Sequence, residues 1–312
     1  MKLLNVLAND GIDKEVFEIL KKQQINIDTT HYEKEELLHK INDFDILVVR
    51  SATKVDKELI DAMAKGKTKL IIRAGVGLDN IDTAYAAEKN IAVKNTPNSS
   101  ANAVAELVLG QMFNLARFLN LANITMKQGE WNKKAYTGME LEGKTLGIVG
   151  FGRIGQTLAK KALALGMNVI YFDLYPANLE NCTSVSLKEV LKNADFISLH
   201  TTATEKPVIN QETLNYLKPS AFLINASRGN VIDEKALLKA LNEQRIAGAA
   251  LDVFVNEPTP NEELCLHPLC SVTPHIGAAT AEAQNRIGKE VLQNILDYLK
   301  ENTNNAFLGK YK

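Results

Sequence analysis

Features that mark several classes of protein are scarce in this chain of 312 residues. Three cysteines (Cys182, Cys265 and Cys270) are too few for a disulfide framework, which favours reduced thiols and a cytoplasmic location. The apolar start of the chain ends at Asp10, too early for a signal peptide, and no uncharged apolar stretch reaches the roughly 18 residues of a membrane span. The net charge of −1 and the pI of about 6.6 show no bias toward nucleic acid or a membrane surface.

What the sequence does contain is typical of a globular α/β protein. Hydrophobic residues make up 46% of the chain and charged residues 23%, enough to bury a sizeable core, and the length suits about two domains. Short apolar runs that predict strands, as at residues 45–50, alternate with patterns that predict helices, as at 14–22, 56–65, 211–217 and 233–242, the last with Asp233 as its N-cap. Such alternation predicts parallel sheets flanked by helices.

Residues 144–173 carry the most informative motif, KTLGIVGFGRIGQTLAKKALALGMNVIYFD. An apolar strand leads into a G-x-G-x-x-G turn, then a helix and a second strand. In such a turn Gly150 allows the tight bend, Gly152 lets the backbone approach a pyrophosphate, and Gly155 lets helix and strand pack closely. The start of the helix directs free N–H groups and a partial positive charge at the phosphates.

Asp173 lies 18 residues beyond Gly155, at the end of the second predicted strand. Its carboxylate suits hydrogen bonds from ribose hydroxyls and would repel the 2′-phosphate of NADP. The order of strand, glycine turn, helix, strand and acid therefore predicts an NAD-binding unit. The alternative, an ordinary βαβ unit with a glycine turn, leaves Asp173 unexplained.

The predicted fold class is α/β, with two doubly wound parallel-sheet domains. A Rossmann NAD-binding domain is predicted at residues 97–284. It is inserted into a flavodoxin-like substrate domain formed by residues 1–96 and 285–312, because a closing helix at about 280–300 is long enough to return to the first domain. The polar tail, residues 302–312, is predicted to fray.

Two stretches ahead of the glycine motif depart from the alternation. Residues 101–119 predict one long, mostly apolar helix between the domains. Residues 121–143 are longer than an ordinary loop and contain Trp131, the only tryptophan. A long segment with an aromatic anchor is either a packing arm or a dimer contact, and we expect a homodimer.

Three polar clusters follow three predicted strands of the second domain. Ligands bind at the carboxyl ends of the strands in an open parallel sheet, the edge at which the glycine turn also lies. We therefore expect Arg228, Glu257 and His275 to converge beside the cofactor. The clusters that contain them are residues 225–229 (NASRG), 252–258 (DVFVNEP) and 273–277 (TPHIG).

These three side chains suit hydride transfer at a carbinol next to a carboxylate. Arg228 can hold a carboxylate through two hydrogen bonds and polarise the adjacent carbonyl. His275 can exchange the hydroxyl proton, while Glu257 binds the other ring nitrogen and sets its tautomer. The cofactor supplies the hydride. Taken singly, each residue is better explained as a solvated loop side chain, so the prediction rests on their joint placement.

A second anion site is predicted in the first domain. Arg50 and Arg73 each end a predicted strand, and Gly75 and Gly77 follow closely in the sequence RAGVG. The glycines allow backbone N–H groups to form a nest for an anion. The alternative for Arg50 is a surface ion pair with a neighbouring acid.

One cluster has a spacing that suggests a metal. Cys265, His267 and Cys270 lie close in sequence, but a fourth ligand is missing, and the leucines among them favour packing. No metal site is predicted.

The motifs GFGRIG with Asp173, NASRG, ALDVFVNEP and TPHIGAAT together resemble those of the D-isomer-specific 2-hydroxyacid dehydrogenases, over nearly the whole chain. The resemblance implies that Arg228, Glu257 and His275 are catalytic, with His275 as proton donor or acceptor. The residues that it implies for NAD binding are Gly150, Gly152, Arg153, Ile154, Gly155, Asp173, Thr201, Ala226, Ser227, Arg228, Asp252, His275, Ile276, Gly277 and Ala278.

Within this family, the segments VVRSATKV, RAGVGLDNID and NTPN look most like the phosphoglycerate dehydrogenases, which begin serine biosynthesis by oxidising 3-phospho-D-glycerate with NAD. By that resemblance Arg50, Arg73 and Gly75 would bind the substrate, with the two arginines at its phosphate and Lys133 or Lys134 assisting. Longer relatives carry a C-terminal serine-sensing domain. The sequence stops after the closing helix, so feedback by serine through such a domain is not expected.

Two other functions fit the same motifs. A glyoxylate or hydroxypyruvate reductase needs only the carboxylate anchor and is the alternative enzyme. An NAD-sensing corepressor is the alternative of another class, because the same fold serves C-terminal-binding-protein regulators. No basic tail or disordered extension supports it.

Overall fold

The structure, a computed structural model, describes residues 4–308, and for residues 302–308 it describes the backbone only. Two compact units are present. Within the described residues the first runs to Ser100 and resumes at Thr280, and the second is Ala101–Ala279. The predicted boundaries, 96/97 and 284/285, fall a few residues from these divisions, and the assignment of substrate and cofactor domains to the two parts stays a prediction.

The first unit alternates strands and helices. Its strands are β1 (Asn5–Ala8), β2 (Asn26–Asp28), β3 (Ile46–Val49), β4 (Leu70–Arg73) and β5 (Ala92–Asn95). Its helices are α1 (Lys14–Lys22), α2 (Lys34–Lys40), α3 (Lys57–Lys65), α4 (Thr83–Glu88) and α12 (Ala281–Leu308). All strands pair in parallel, in the order β2-β1-β3-β4-β5. This is the flavodoxin-like order, in which the sheet grows in opposite directions from β1 and β3.

Local sequence explains these elements. The strand β3 is Ile-Leu-Val-Val, and all four residues are buried, as expected for a central strand covered by helices on both faces. Asp13 and Asp56 cap α1 and α3 by accepting hydrogen bonds from first-turn N–H groups. The core of the unit is formed by the inner faces of its helices and strands, including Leu37, Met63 and Ile71.

The second unit is a larger parallel sheet. Its strands are β6 (Thr145–Val149), β7 (Asn168–Phe172), β8 (Cys182–Ser184), β9 (Phe196–Leu199), β10 (Phe222–Asn225), β11 (Gly248–Leu251) and β12 (Cys270–Val272). Its helices are α5 (Ala101–Arg117), α6 (Leu119–Lys127), α7 (Arg153–Ala164), α8 (Leu187–Asn193), α9 (Gln211–Leu214), α10 (Glu234–Asn242) and α11 (Glu262–Leu266). The strand order is β8-β7-β6-β9-β10-β11-β12, the Rossmann order with one strand added. The predicted fold class is confirmed in both units.

Several elements differ from the sequence-based expectations. The helix predicted at 101–119 ends at Arg117, because Phe118 adopts a left-handed conformation with φ 56° and a new helix, α6, begins. The segment 121–143 is therefore helical as far as Lys127, and its remainder is a loop with a short 3₁₀ turn at Lys133–Tyr136. The short elements β8 and α11 were not predicted from the sequence, and α9 is shorter than expected.

The last helix is longer than predicted. The helix α12 continues to Leu308, so the expectation of fraying is wrong for the backbone of residues 302–308. The rest of that tail lies outside the described residues. None of the helices within residues 4–308 combines the length and the hydropathy that crossing a bilayer requires.

Candidate active site

The glycine turn follows β6 at the carboxyl edge of the second sheet. Gly150 has φ 93°, and a Cβ there would lie 2.6 Å from the carbonyl of His200, so the tight bend needs glycine. A Cβ at Gly155 would lie 2.4 Å from the oxygen of Gly150, so this position lets α7 pack against the turn. A Cβ at Gly152 would meet no atom within 4 Å. The open side of the turn therefore lies at Gly152, where backbone approach to a phosphate was predicted.

The start of α7 and the end of β7 complete this part of the site. Gly152 is the N-cap and offers no side chain to the first-turn N–H groups, which begin with Arg153 and Ile154. Asp173 follows β7, as predicted, and its Oδ2 accepts a hydrogen bond from the N–H of Phe151. Asp173 thus ties the end of β7 to the glycine turn, a contact that the motif by itself does not reveal.

The loop after β9 lies next to the glycine turn, where the strand order reverses. The hydroxyl of Thr201 is buried and has no hydrogen-bond partner among residues 4–308. The ring of His200 contacts Ser198 at 2.8 Å, and burial lowers the pKa of His200 to about 4. Sequence reasoning assigns no role to His200, and its position after an apolar strand was the only signal.

The loop after β10 is organised by Asn225. The Oδ1 of Asn225 accepts hydrogen bonds from the N–H and the hydroxyl of Ser227 at 3.1 and 2.9 Å, and its Nδ2 donates to the carbonyl of Arg228 at 2.8 Å. Ala226 and the half-buried Arg228 occupy the same turn, at the edge that also holds the glycine motif. Sequence reasoning gave Asn225 no function, although it ends a buried strand.

Two of the predicted motifs pack directly on each other. A Cβ at Gly229 would lie 2.0 Å from the carbonyl carbon of Phe254, so the chain after β11 passes over the NASRG turn. This contact places the residue after Arg228 against the segment that leads to Glu257. The charge of Arg228 is close enough to Glu257 to lower the pKa of that carboxyl.

His275 and Glu257 form the pair that the sequence predicts. The Nδ1 of His275 lies 2.7 Å from Oε2 of Glu257, the geometry of a ring N–H donating to a carboxylate. The other oxygen of Glu257 accepts a hydrogen bond from the Phe254 N–H at 3.0 Å. Burial raises the pKa of Glu257, but these hydrogen bonds and the nearby charges outweigh it, so the pKa lies below its usual range. The side chains of His275 and Glu257 are 41% and 36% exposed, which leaves them accessible to a ligand.

Asp252 holds the loop that carries His275. Its Oδ1 accepts hydrogen bonds from the Thr273 hydroxyl and the Ile276 N–H at 2.6 and 2.8 Å, and its Oδ2 accepts from the Gly277 N–H at 2.8 Å. These contacts support His275 in a left-handed conformation with φ 53°, unusual for a residue other than glycine. Asp252 is therefore a structural centre of the loop. Contact of Asp252, Gly277 and Ala278 with NAD stays a prediction.

The predicted substrate residues of the first unit end two neighbouring strands. Val49, the last residue of β3, pairs with Arg73, the last residue of β4. Arg50 and Arg73 therefore lie at the same edge of that sheet. The guanidinium of Arg73 folds over Gly75, because a Cβ there would overlap its Nη1, and it donates to the carbonyl of Ala74 at 3.4 Å. Gly75 is thus needed for the position of Arg73.

The cysteine cluster lies at the other edge of the second sheet. Cys265, His267 and Cys270 help to line a cavity of about 230 Å³ at the amino ends of β10, β11 and β12. Burial and the nearby Cys265 raise the pKa of Cys270 to about 12, which makes this thiol unreactive. Within the described part of the chain, His, Cys, Asp and Glu side chains form no group of three or more that could hold a metal.

Comparisons with known proteins agree with this geometry. Residues 109–277 match the family described as D-isomer specific 2-hydroxyacid dehydrogenase, NAD binding domain. The chain is 45% identical over 309 residues to hydroxypyruvate reductase of Thermotoga maritima, covering 96% of this chain and 99% of that protein. It is 43% identical over 305 residues to D-3-phosphoglycerate dehydrogenase of Methanocaldococcus jannaschii, covering 96% of this chain but 58% of that relative. The crystal structure of a Thermus thermophilus protein matches with a TM-score of 0.89 and 33% identity, over 96% of this chain and 97% of that one.

A Rossmann sheet with a histidine–carboxylate pair at its carboxyl edge is typical of NAD-dependent oxidoreductases. This chain belongs to the D-isomer specific 2-hydroxyacid dehydrogenase family. It is therefore an NAD-dependent oxidoreductase acting on a 2-hydroxy or 2-oxo acid.

Proposed function

We propose that the protein oxidises 3-phospho-D-glycerate to 3-phosphohydroxypyruvate with NAD, the first step of serine biosynthesis. The observation that carries the dehydrogenase step is the 2.7 Å contact between His275 and Glu257 beside Arg228. The choice of a phosphorylated substrate rests on two further cations, Arg50 and Arg73, at the carboxyl ends of β3 and β4.

The second unit has the features that NAD requires. The open side of the turn at Gly152, the uncapped start of α7 and the buried hydroxyl of Thr201 offer donors to phosphates and polar groups. Asp173, at the end of β7, suits the adenosine ribose. Bound by these residues, NAD would supply the acceptor for the hydride of the substrate carbon.

His275 moves the proton in this proposal. Its Nδ1 is held by Glu257, so its Nε2 is the nitrogen that takes the hydroxyl proton during oxidation and returns it during reduction. Glu257 stabilises the imidazolium that forms, because its lowered pKa keeps it ionised. Arg228 binds the substrate carboxylate through two parallel hydrogen bonds.

Arg50 and Arg73 bind the phosphate in this proposal, with Gly75 shaping the loop. Arg50 follows β3, and β1 and β3 flank the point where the strand order of the first sheet reverses. Ligands of doubly wound sheets bind at such a point. An exposed lysine of the 121–143 segment, Lys133 or Lys134, is a further candidate for the phosphate.

The alternative substrate is unphosphorylated hydroxypyruvate or glyoxylate. It is favoured by the 45% identity to a hydroxypyruvate reductase that this chain matches over nearly its full length. The chain spans little more than half of the phosphoglycerate dehydrogenase relative. Only the requirement for a phosphate site separates the two substrates.

A comparison of kcat/KM on 3-phosphohydroxypyruvate and hydroxypyruvate with NADH tests the proposal. We expect the phosphorylated substrate to be preferred, and Arg50→Ala to raise its KM far more than the KM of hydroxypyruvate. Lys69→Ala is the matched control, because Lys69 is an exposed cation at the opposite end of β4. Equal effects of Arg50→Ala on both substrates, or a preference for hydroxypyruvate, would favour the reductase.

We also propose that the protein is a cytoplasmic homodimer. The segment that contains α6 exposes large apolar side chains, with Leu119 and Met126 each 53% exposed and Trp131 78% exposed. Apolar patches of this kind mark contacts between chains. Light scattering is expected to give twice the mass of one chain, and a monomeric mass would contradict this proposal.

A further inference from the structure

The loop at residues 50–53 of the first unit is held by two side chains from elsewhere in the sequence. It begins directly after β3 with Arg50, exposes Ser51 and Ala52, and ends at the buried Thr53. Both the N–H and the carbonyl of Arg50 are hydrogen-bonded to these side chains, and so are both groups of Thr53. The side chains are Asp10 and Asn80.

Asp10 fixes the N–H groups at the two ends of the loop. Its Oδ2 accepts hydrogen bonds from the N–H of Arg50 at 2.7 Å and of Thr53 at 3.1 Å. Its Oδ1 accepts from the Thr53 hydroxyl at 2.6 Å, and that hydroxyl accepts from Nδ2 of Asn9 at 2.8 Å. The Asp10 side chain is only 4% exposed, so its hydrogen bonds form away from competing water.

Asn80 fixes the carbonyl groups at the same two ends. Its Nδ2 donates to the carbonyl of Arg50 at 2.8 Å and to the carbonyl of Thr53 at 2.7 Å. One carboxylate and one amide therefore hold four backbone groups of a four-residue loop. The residues between these two ends, Ser51 and Ala52, are exposed, and the loop lies at the point where the strand order reverses.

We propose that Asp10 and Asn80 are positioning residues for substrate binding. They hold the Arg50–Thr53 backbone so that the Arg50 guanidinium meets the phosphate of the substrate without first being ordered. Pre-ordering removes an entropic cost from binding, so the affinity for the phosphorylated substrate depends on residues that need not touch it. This inference rests on the proposed function, in which Arg50 binds the phosphate.

The charge of Asp10 makes the inference sharply testable. A carboxylate close to a phosphate site weakens anion binding by repulsion, so removing its charge should tighten binding if charge were its only influence. If Asp10 positions the loop, removing its carboxylate should instead weaken the binding of the phosphorylated substrate. Asp10→Asn keeps the shape of the side chain but has one acceptor oxygen in place of two, so it cannot accept both from the two N–H groups bound at Oδ2 and from the Thr53 hydroxyl bound at Oδ1.

We expect Asp10→Asn and Asn80→Ala each to raise the KM for 3-phosphohydroxypyruvate roughly tenfold to a hundredfold, the factor that losing a hydrogen bond to a charged or buried group produces. The KM for hydroxypyruvate, the Kd of NADH and kcat are expected to change much less. Asn80→Ala introduces no charge and so gives a second variant in case Asp10→Asn does not fold.

Asp45→Asn is the matched control. Asp45 is a buried acid at the opposite end of β3, and its Oδ2 accepts a hydrogen bond from the N–H of Asn5 at 3.0 Å. Its replacement is expected to lower the thermal unfolding temperature and to leave substrate selectivity unchanged. A loss of selectivity in Asp45→Asn equal to that in Asp10→Asn would show that general destabilisation is the cause, and would overturn the positioning role.

Double variants separate this inference from the proposed function. In an Arg50→Ala background, Asp10→Asn is expected to have little further effect on the KM for the phosphorylated substrate, because the group it positions is gone. A large Arg50→Ala effect with unchanged selectivity in both Asp10→Asn and Asn80→Ala would overturn the positioning role alone. Unchanged selectivity in Arg50→Ala would overturn the phosphate site and this role with it.

Discussion

At the scale of single residues, the chemistry of the candidate site depends on how His275 is held. Its backbone is in a left-handed conformation supported by Asp252, and its ring is held by Glu257. The first contact sets where the ring lies, and the second sets which nitrogen carries the proton. Both depend on groups about twenty residues away in sequence, joined by the fold.

Replacing His275 by alanine is expected to lower kcat by roughly 10²–10⁴-fold, the usual contribution of a positioned acid–base group. Glu257→Gln is expected to lower kcat less and to shift the pH profile of kcat. The His275 ring keeps a hydrogen-bond partner at Nδ1, but that partner no longer carries a negative charge. Steady-state kinetics across pH measure both effects. His39→Ala, which changes an exposed histidine on α2, serves as the control. Near-normal turnover in His275→Ala would remove this residue from its proposed role.

At the scale of elements, the site is assembled by neighbouring parallel strands in register. Asn225 pairs with Leu251, and Leu251 pairs with Val272, so the chain leaves β10, β11 and β12 at adjacent points. The loops that carry Arg228, Glu257 and His275 therefore start side by side. Their packing requires that the backbone after β11 pass over Gly229.

Gly229→Ala tests this packing. The added Cβ would lie 2.0 Å from a backbone carbon of Phe254, so the loop before Glu257 must move. Displacements of about 1 Å in active sites cost up to roughly 100-fold in rate, and we expect kcat/KM to fall at least tenfold with a lower thermal unfolding temperature. Gly110→Ala is the control, because nothing lies within 4 Å of a Cβ there. If the two variants behave alike, the close approach of these loops is not required for activity.

At the scale of the whole molecule, stability is expected to depend on pH through His200, a half-buried histidine whose Nδ1 is inaccessible to solvent. Burial lowers the pKa of His200 from 6.5 to about 4. Between these values the unfolded chain binds a proton at this site and the folded protein does not, so stability falls as the pH is lowered through that window. The full difference corresponds to about 3 kcal/mol. The pKa of His267 is lowered by burial in the same direction and adds to the effect.

Chemical denaturation at pH 7 and pH 5 measures this prediction. The free energy of unfolding is expected to be about 2 kcal/mol lower at pH 5 for the unaltered chain, since about 1.5 pH units of the window are crossed. His200→Gln removes the titrating group and is expected to flatten the dependence. His39→Ala should retain it, because His39 is exposed. A flat profile for the unaltered chain would show that the folded protein does not hold His200 in its neutral form.

Much of the fold follows from local sequence signals. The bounds of α1 are those predicted, and α10 begins directly after the predicted N-cap Asp233, because helical periodicity and capping act within a few residues. The apolar run at residues 45–50 predicts the strand β3 for the same reason. The break at Phe118 has no glycine or proline to announce it, and β8 and α11 are too short to carry a period.

The sequence by itself determined the two-sheet α/β class, the glycine turn and the residue types of the candidate site. It did so because strand and helix periods, turn glycines and acid–base side chains are properties of neighbouring residues. Only the tertiary structure decided that Glu257 meets Nδ1 of His275, that Gly229 lies under Phe254 and that Asp10 and Asn80 hold the loop of Arg50. These contacts join residues far apart in the chain, and their partners are selected by strand order and register, which no local pattern encodes.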